Sequence, residues 1–133
     1  MKEPSFLGLD EVLDLHADQL QHYGGLPGVR DLDLLESALA VPAATFDGRF
    51  LHESLLEMAA AYLVHIAQNH PFVDGNKRTA LMAAIAFLGV NDLVLDADAQ
   101  ALTELVLGVA ERKRSKAEVA VFFQQNTRPA RPG

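Results

Sequence analysis

At 133 residues the chain fits one domain and is long enough to bury a single core. Half of it is apolar, 22% is charged and the net charge is −7, which excludes a disordered chain and, for want of a basic face, non-specific nucleic-acid binding. It has no cysteine, so disulfides and thiolate chemistry are excluded, and any phosphate site must be built locally against a repelling overall field.

Helical periodicity dominates from the N-terminus onward. Leu9, Val12, Leu13, His16 and Leu20 recur at three- and four-residue steps, which predicts an amphipathic helix over about 10–22. Tyr-Gly-Gly-Leu-Pro-Gly at 23–28 breaks it. Asp31 is placed to cap a second helix ending near Leu39, with Leu32, Leu35 and Leu39 on one face. Between 41 and 54 the period is lost: Pro42 stops a helix, and Phe46, Asp47, Gly48, Arg49 and Phe50 put an Asp-Gly turn between aromatic residues, the pattern of a short hairpin or flap. Ser54 and Glu57 form a capping-box pair opening a helix to about Asn69. After a loop, an apolar helix is predicted over about 76–88, ended by Gly89 and Asn91-Asp92. Two more follow, over about 98–110 and 115–125, and residues 127–133 read as a frayed tail.

The expected fold is therefore all-α: a compact bundle of about six helices with a short flap before the two central ones, forming one domain over 1–126. No internal repeat or linker interrupts it. The start, Met-Lys-Glu-Pro-Ser-Phe-Leu-Gly, holds no signal-peptide core, and the most apolar run, 80–88, is too short to span a bilayer. A cytoplasmic protein with no membrane contact is expected.

The chemistry concentrates in His-Pro-Phe-Val-Asp-Gly-Asn-Lys-Arg at 70–78. Asn76, Lys77 and Arg78 occupy a helix's first turn, where unpaired N–H groups and the helix dipole favour an anion. Gly75 lets a phosphate approach that backbone, while Lys77 and Arg78 add a compact cation and a forked donor. Asp74, the only carboxylate of the loop, is better suited to holding Mg²⁺ than to facing phosphate. His70 is the side chain here that titrates near neutral pH and is the candidate general base. Phe72 is expected to plug into the core and anchor the loop. Each residue alone has a plainer reading, as dipole partner, turn former or solvated charge; their conjunction within nine residues is what points to a nucleotide-phosphate site. His65 reads as a packing histidine. His16, His22 and His52 have no ligand spacing, and the basic run Arg112-Lys-Arg114 with Lys116 reads as a solvated helix end.

These nine residues resemble the signature of the Fic/Doc superfamily, His-x-Phe-x-(Asp/Glu/Asn)-(Gly/Ala)-Asn-(Gly/Lys)-Arg, and match it throughout. The Tyr-Gly-Gly-Leu-Pro-Gly stretch and the helix containing Glu36 are similar to the Doc (death-on-curing) branch, so the likeness covers about 9–125. The resemblance implies the compact helical Fic core, ATP as substrate and Mg²⁺ as cofactor. By position it makes His70 the base that deprotonates a target hydroxyl and Asp74 the Mg²⁺ ligand. Asn76 and Arg78 become phosphate holders, and the segment from Phe46 to Phe50 falls where the family has its target-docking flap. AMP-transferring members carry glycine where this chain has Lys77, and a second arginine where it has Leu81. Both differences look like the Doc branch, understood as a kinase that phosphorylates a threonine of elongation factor Tu. Pro71 and Gly75 keep some of the AMP-transferase wording. The family's inhibitory string, (Ser/Thr)-x-x-x-Glu-(Gly/Asn), is not found here, so the resemblance implies a Phd-like antitoxin supplying that helix. The expected function is a toxin kinase of a toxin–antitoxin pair. An AMP transferase is the second reading and a non-catalytic binding module the third.

Overall fold

The computed structural model describes residues 3–130. Six helices carry the fold: α1 (Leu9–Tyr23), α2 (Leu32–Ala40), α3 (Leu55–Asn69), α4 (Asn76–Val90), α5 (Ala99–Ala110) and α6 (Lys116–Asn126). Two small antiparallel sheets complete it among the described residues, β1 (Thr45–Phe46) with β2 (Arg49–Phe50), and β3 (Leu93–Leu95) with β4 (Thr127–Pro129). The mostly helical fold expected from periodicity is therefore observed. No helix among the described residues is long and apolar enough to cross a membrane.

The centre is the α3–α4 pair. Ala59, Ala60, Ala61, Leu63, Ile66 and Ala67 of α3, and Ala80, Ala83, Ala84, Phe87 and Leu88 of α4, are fully buried. Small side chains on both helices allow close approach, and α3 also packs against α2, α5 and α6. Such all-round burial explains why these two segments are apolar on nearly every face. Thr79 of α4 and Tyr62 of α3 are the polar side chains buried with them, and the Tyr62 hydroxyl oxygen accepts the Leu7 N–H at 2.9 Å. Burial pushes its pKa up to about 12, so it stays protonated.

Local chemistry sets the ends of the helices. Asp31, Ser54, Asp98 and Ser115 each accept a backbone N–H of the first turn through the side chain. Glu118 completes the box at α6 by accepting the Ser115 N–H at 3.0 Å. At α3 the expected box is half made, since Ser54 accepts the Glu57 N–H while its own hydroxyl donates to the Glu57 carboxylate. The Asp47-Gly48 turn has positive φ at both residues, the primed geometry that suits strand twist, and pairs Thr45 with Phe50 and Phe46 with Arg49.

The C-terminal segment corrects the expectation of a frayed tail. Thr127–Pro129 pairs in register with Leu93–Leu95, extended by Asp96 N–H to Asn126 O at 2.7 Å and Ala130 N–H to Asp92 O at 2.9 Å. The strand Leu93–Leu95 presents backbone donors and acceptors that need a partner, and this segment supplies it. An Arg-Pro-rich composition hid that pairing. Residues 131–133 of the predicted tail lie outside the described residues.

Candidate active site

The loop joining α3 to α4 is fastened from below by a segment far upstream in sequence. His70 caps α3 with φ 49, a left-handed conformation unusual for a side-chain-bearing residue. Arg30 holds it there: Nε donates to His70 O at 2.7 Å and Nη2 to Asn69 O at 2.9 Å, satisfying carbonyls left unpaired at the helix end. The Arg30 and Asp31 N–H groups both donate to Pro71 O, Val29 bridges Phe72, and Val73 N–H reaches Gly28 O at 3.0 Å. Asn69 adds a bond from Nδ2 to Leu34 O. Residues 28–31 thus run along the loop like a short strand. His70 itself remains exposed, with its ring available to the cleft.

Beyond Pro71 the chain turns on Phe72, which is buried, and Asn76. Asn76 Oδ1 accepts the Phe72 N–H at 2.9 Å and its Nδ2 donates to Phe72 O at 3.0 Å. This refines the expected role of Asn76: both ends of its amide close the loop, and what it offers an anion is its backbone N–H. Phe72 stacks on His16, with ring centroids 3.8 Å apart and planes 7° from parallel. His16 Nε2 donates to Asp74 O at 2.8 Å.

Asp74 is seated by backbone donors. Its Oδ2 accepts the Leu26 N–H at 3.2 Å and its Oδ1 the Gly75 N–H at 2.9 Å. These two bonds, the Leu26 one foremost, hold its carboxyl below the usual carboxylate range, with Arg78 and His16 adding smaller effects in the same direction. Gly75 follows with φ 76 and begins α4. The N–H groups of Asn76, Lys77 and Arg78 meet no acceptor within the described chain, leaving the α4 N-terminus open to an anion.

A cleft of about 490 Å³ opens over these groups. His70, Asp74, Gly75, Asn76, Lys77 and Arg78 all line it, and Leu81 with Thr103, Val106 and Leu107 of α5 forms a wall that is apolar but for the Thr103 hydroxyl, which donates to Ala99 O. The residues singled out in the loop are therefore brought together, with Phe72 beneath them. Arg78 lies 4.4 Å over the Tyr23 ring, a cation–π contact that sets its reach. The flap residues Phe46, Asp47, Gly48, Arg49 and Phe50 stand outside the wall of this cleft. Phe50 turns inward toward Phe6 at 5.7 Å, while Phe46 is 76% exposed.

Sequence reasoning missed His16, Tyr23, Leu26 and Arg30. One signal was present. His16 falls on the apolar stripe of α1, and a polar group on a buried face needs a partner. Leu26 acts through its backbone N–H and Arg30 lies in an irregular segment, where spacing carries no information, while Tyr23 ends α1 and meets Arg78 through its ring, a contact spacing does not foretell. His65 has the packing role expected: it is partly buried, within 3.1 Å of Lys116 Nζ, and its pKa is lowered to about 4, by burial first and then by Lys116 and His52. The basic run forms the α5–α6 turn, where Arg112 donates to Gln68 Oε1 at 3.0 Å.

A model of the Fic/DOC family matches residues 6–88. The chain is 49% identical over 76 residues to a protein named Toxin Doc from Mycolicibacterium smegmatis, an alignment covering 57% of this chain and 58% of that one. It is 37% identical over 114 residues to Protein kinase doc of Escherichia phage P1, covering 84% of this chain and 86% of the phage protein. The chain thus spans less than two thirds of the length of the first relative and most of the second.

Proposed function

Since the chain belongs to the Fic/DOC family, we propose that it is a Doc-type toxin of a toxin–antitoxin pair that transfers the γ-phosphoryl group of ATP to a serine or threonine hydroxyl of a protein. The observation that carries this reading is one cleft holding an exposed histidine, a firmly ionised carboxylate and an open helix N-terminus with two cations. His70 accepts the proton as the target oxygen attacks the γ-phosphorus; the bond from that phosphorus to the bridging oxygen breaks, and ADP leaves. Lys77, Arg78 and the N–H groups of 76–78 hold the phosphate oxygens as charge redistributes.

The residues present fit Mg²⁺. Asp74 offers a carboxylate at the cleft whose low pKa keeps it ionised, and a single carboxylate with nucleotide phosphates is a usual arrangement for this ion. When bound, the ion neutralises charge on the β- and γ-phosphates. The cleft-lining residues that support phosphoryl over AMP transfer are Lys77, where AMP-transferring members carry glycine, and apolar Leu81, where they carry a second arginine. The name of the phage relative supports the same choice.

The target expected by resemblance is elongation factor Tu, and the restraining partner a Phd-like antitoxin. Purified protein incubated with γ- or α-labelled ATP, elongation factor Tu and a bacterial lysate tests the reading. Label transferred from the γ position and lost in His70→Ala is the expected result, with a rate loss of about 10²–10⁴. Transfer of α-label alone would establish the AMP-transferase reading instead.

A further inference from the structure

The catalytic loop's own backbone does not fix its orientation. Gly75 has φ 76, and glycine adopts positive and negative φ with similar ease, so the peptide unit joining Asp74 to Gly75 can turn over at little local cost. In a planar trans peptide the C=O and N–H point in opposite directions. Whatever holds Asp74 O therefore decides where the Gly75 N–H points. His16 holds it, with Nε2 at 2.8 Å. A carbonyl can only accept, so Nε2 carries the proton. On the other side of the same peptide, the Gly75 N–H meets Asp74 Oδ1 at 2.9 Å.

His16 is well placed to act as a fixed support. It is 5% exposed and projects from α1, and its ring lies flat on Phe72, itself 1% exposed. A leucine would continue the apolar stripe at this position equally well. What the imidazole adds is a single donor at the correct reach, delivered from a helix that packs directly on α4.

We propose that His16 is a positioning residue. By holding Asp74 O from beneath, it turns the Gly75 N–H toward the cleft, seats the Asp74 carboxylate and sets the direction in which α4 begins. It touches no reacting atom and acts through one peptide unit. The kinetic consequence rests on the transferase reading above; the orientation of the peptide does not.

Glycine-selective ¹⁵N labelling reads the Gly75 amide directly, with Gly75→Ala identifying its signal among the nine glycines. His16→Phe keeps an aromatic ring against Phe72 and removes the donor, whereas His16→Gln keeps an N–H donor. The phenylalanine variant should displace the Gly75 resonance and lower kcat by about 10–100-fold, the range for residues that orient a ligand-bearing group, with KM for the protein target unchanged. Glutamine should restore the resonance and most of the rate. A phenylalanine variant with the parent's Gly75 signal and kcat would overturn the proposal. So would a folded glutamine variant no better than phenylalanine in both measurements. If the phenylalanine variant does not fold, His16→Leu replaces it. If the parent protein transfers nothing from ATP, the transferase reading fails, and the Gly75 amide alone decides the role of His16.

Discussion

Replacing Gly25 by alanine, with Gly24→Ala as its control, tests whether the segment before α2 seats the Asp74 carboxylate. Both glycines have positive φ, 79 at Gly24 and 123 at Gly25, so alanine is strained at either position. That strain costs about 1–3 kcal/mol, or roughly 3–10 °C in melting temperature for a chain of this size. Surroundings separate the two. A Cβ at Gly24 meets nothing within 4 Å, whereas one at Gly25 falls 3.0 Å from Asp74 Oδ2, 3.3 Å from its Cγ and 3.0 Å from Leu20 Cδ2. The tip of Leu20 can rotate away. The carboxylate cannot move freely, because it is tied to the N–H groups of Leu26 and Gly75 at 3.2 and 2.9 Å. A displacement of a few tenths of an ångström stretches those bonds and shifts the proposed metal ligand. Gly25→Ala should therefore lose about 10–100-fold in transfer and need more Mg²⁺, while Gly24→Ala keeps the parent's rate once both are fully folded. Thermal melts followed by circular dichroism, with γ-label transfer measured across a Mg²⁺ titration, give both quantities. Equal losses of activity in the two variants would refute the contact with Asp74 as the cause.

Phe72→Ala empties a fully packed site beside His16 and should cost about 3–5 kcal/mol, measured by urea unfolding. Asn76→Ala leaves the Phe72 N–H and C=O without their partners and should cost about 1–3 kcal/mol in the same experiment. His65 makes stability pH-dependent on the acid side. Its folded pKa is depressed from 6.5 to about 4, so between those values the unfolded chain binds more protons and stability falls as pH is lowered. His52, also depressed by burial and Lys116, acts in the same direction. His65→Leu should flatten that part of the profile, measured as melting temperature from pH 4 to 7; an unchanged slope would assign it to other groups.

The helices were legible because their signals are local. Periodicity located all six, side-chain caps at Asp31 and Ser54 marked two starts, and Asp47-Gly48 marked the hairpin. The pairing of Leu93–Leu95 with Thr127–Pro129 was not legible, because short strands joined across two helices carry no periodic signal. The same division runs through the candidate site. His70, Asp74, Gly75, Lys77 and Arg78 share one loop and one chemical theme, and they line one cleft. Their supports are scattered through 16–31 and act largely through backbone atoms, as with Leu26 N–H on Asp74 and Arg30 on the carbonyls of Asn69 and His70. Of these, only His16 left a mark in the sequence, as a polar residue on an apolar stripe.

The net charge of −7 makes the origin of anion binding a question of distance. At physiological ionic strength a charge is screened over about 8 Å, so carboxylates on remote faces contribute little inside the cleft. Among the residues lining it, Asp74 is the sole carboxylate and faces Lys77, Arg78 and the start of α4. The local field is thus set by a few groups whose directions matter more than their number. A helix N-terminus favours an anion only along its axis, and a carboxylate beside it is useful to a metal and harmful to phosphate according to where it points. The segment from His16 to Asp31 sets both directions. It follows that the signature at 70–78 names the reacting groups without guaranteeing their alignment. A chain that kept those nine residues but lost the donors of His16, Leu26 and Arg30 would retain the chemistry in composition and lose it in geometry.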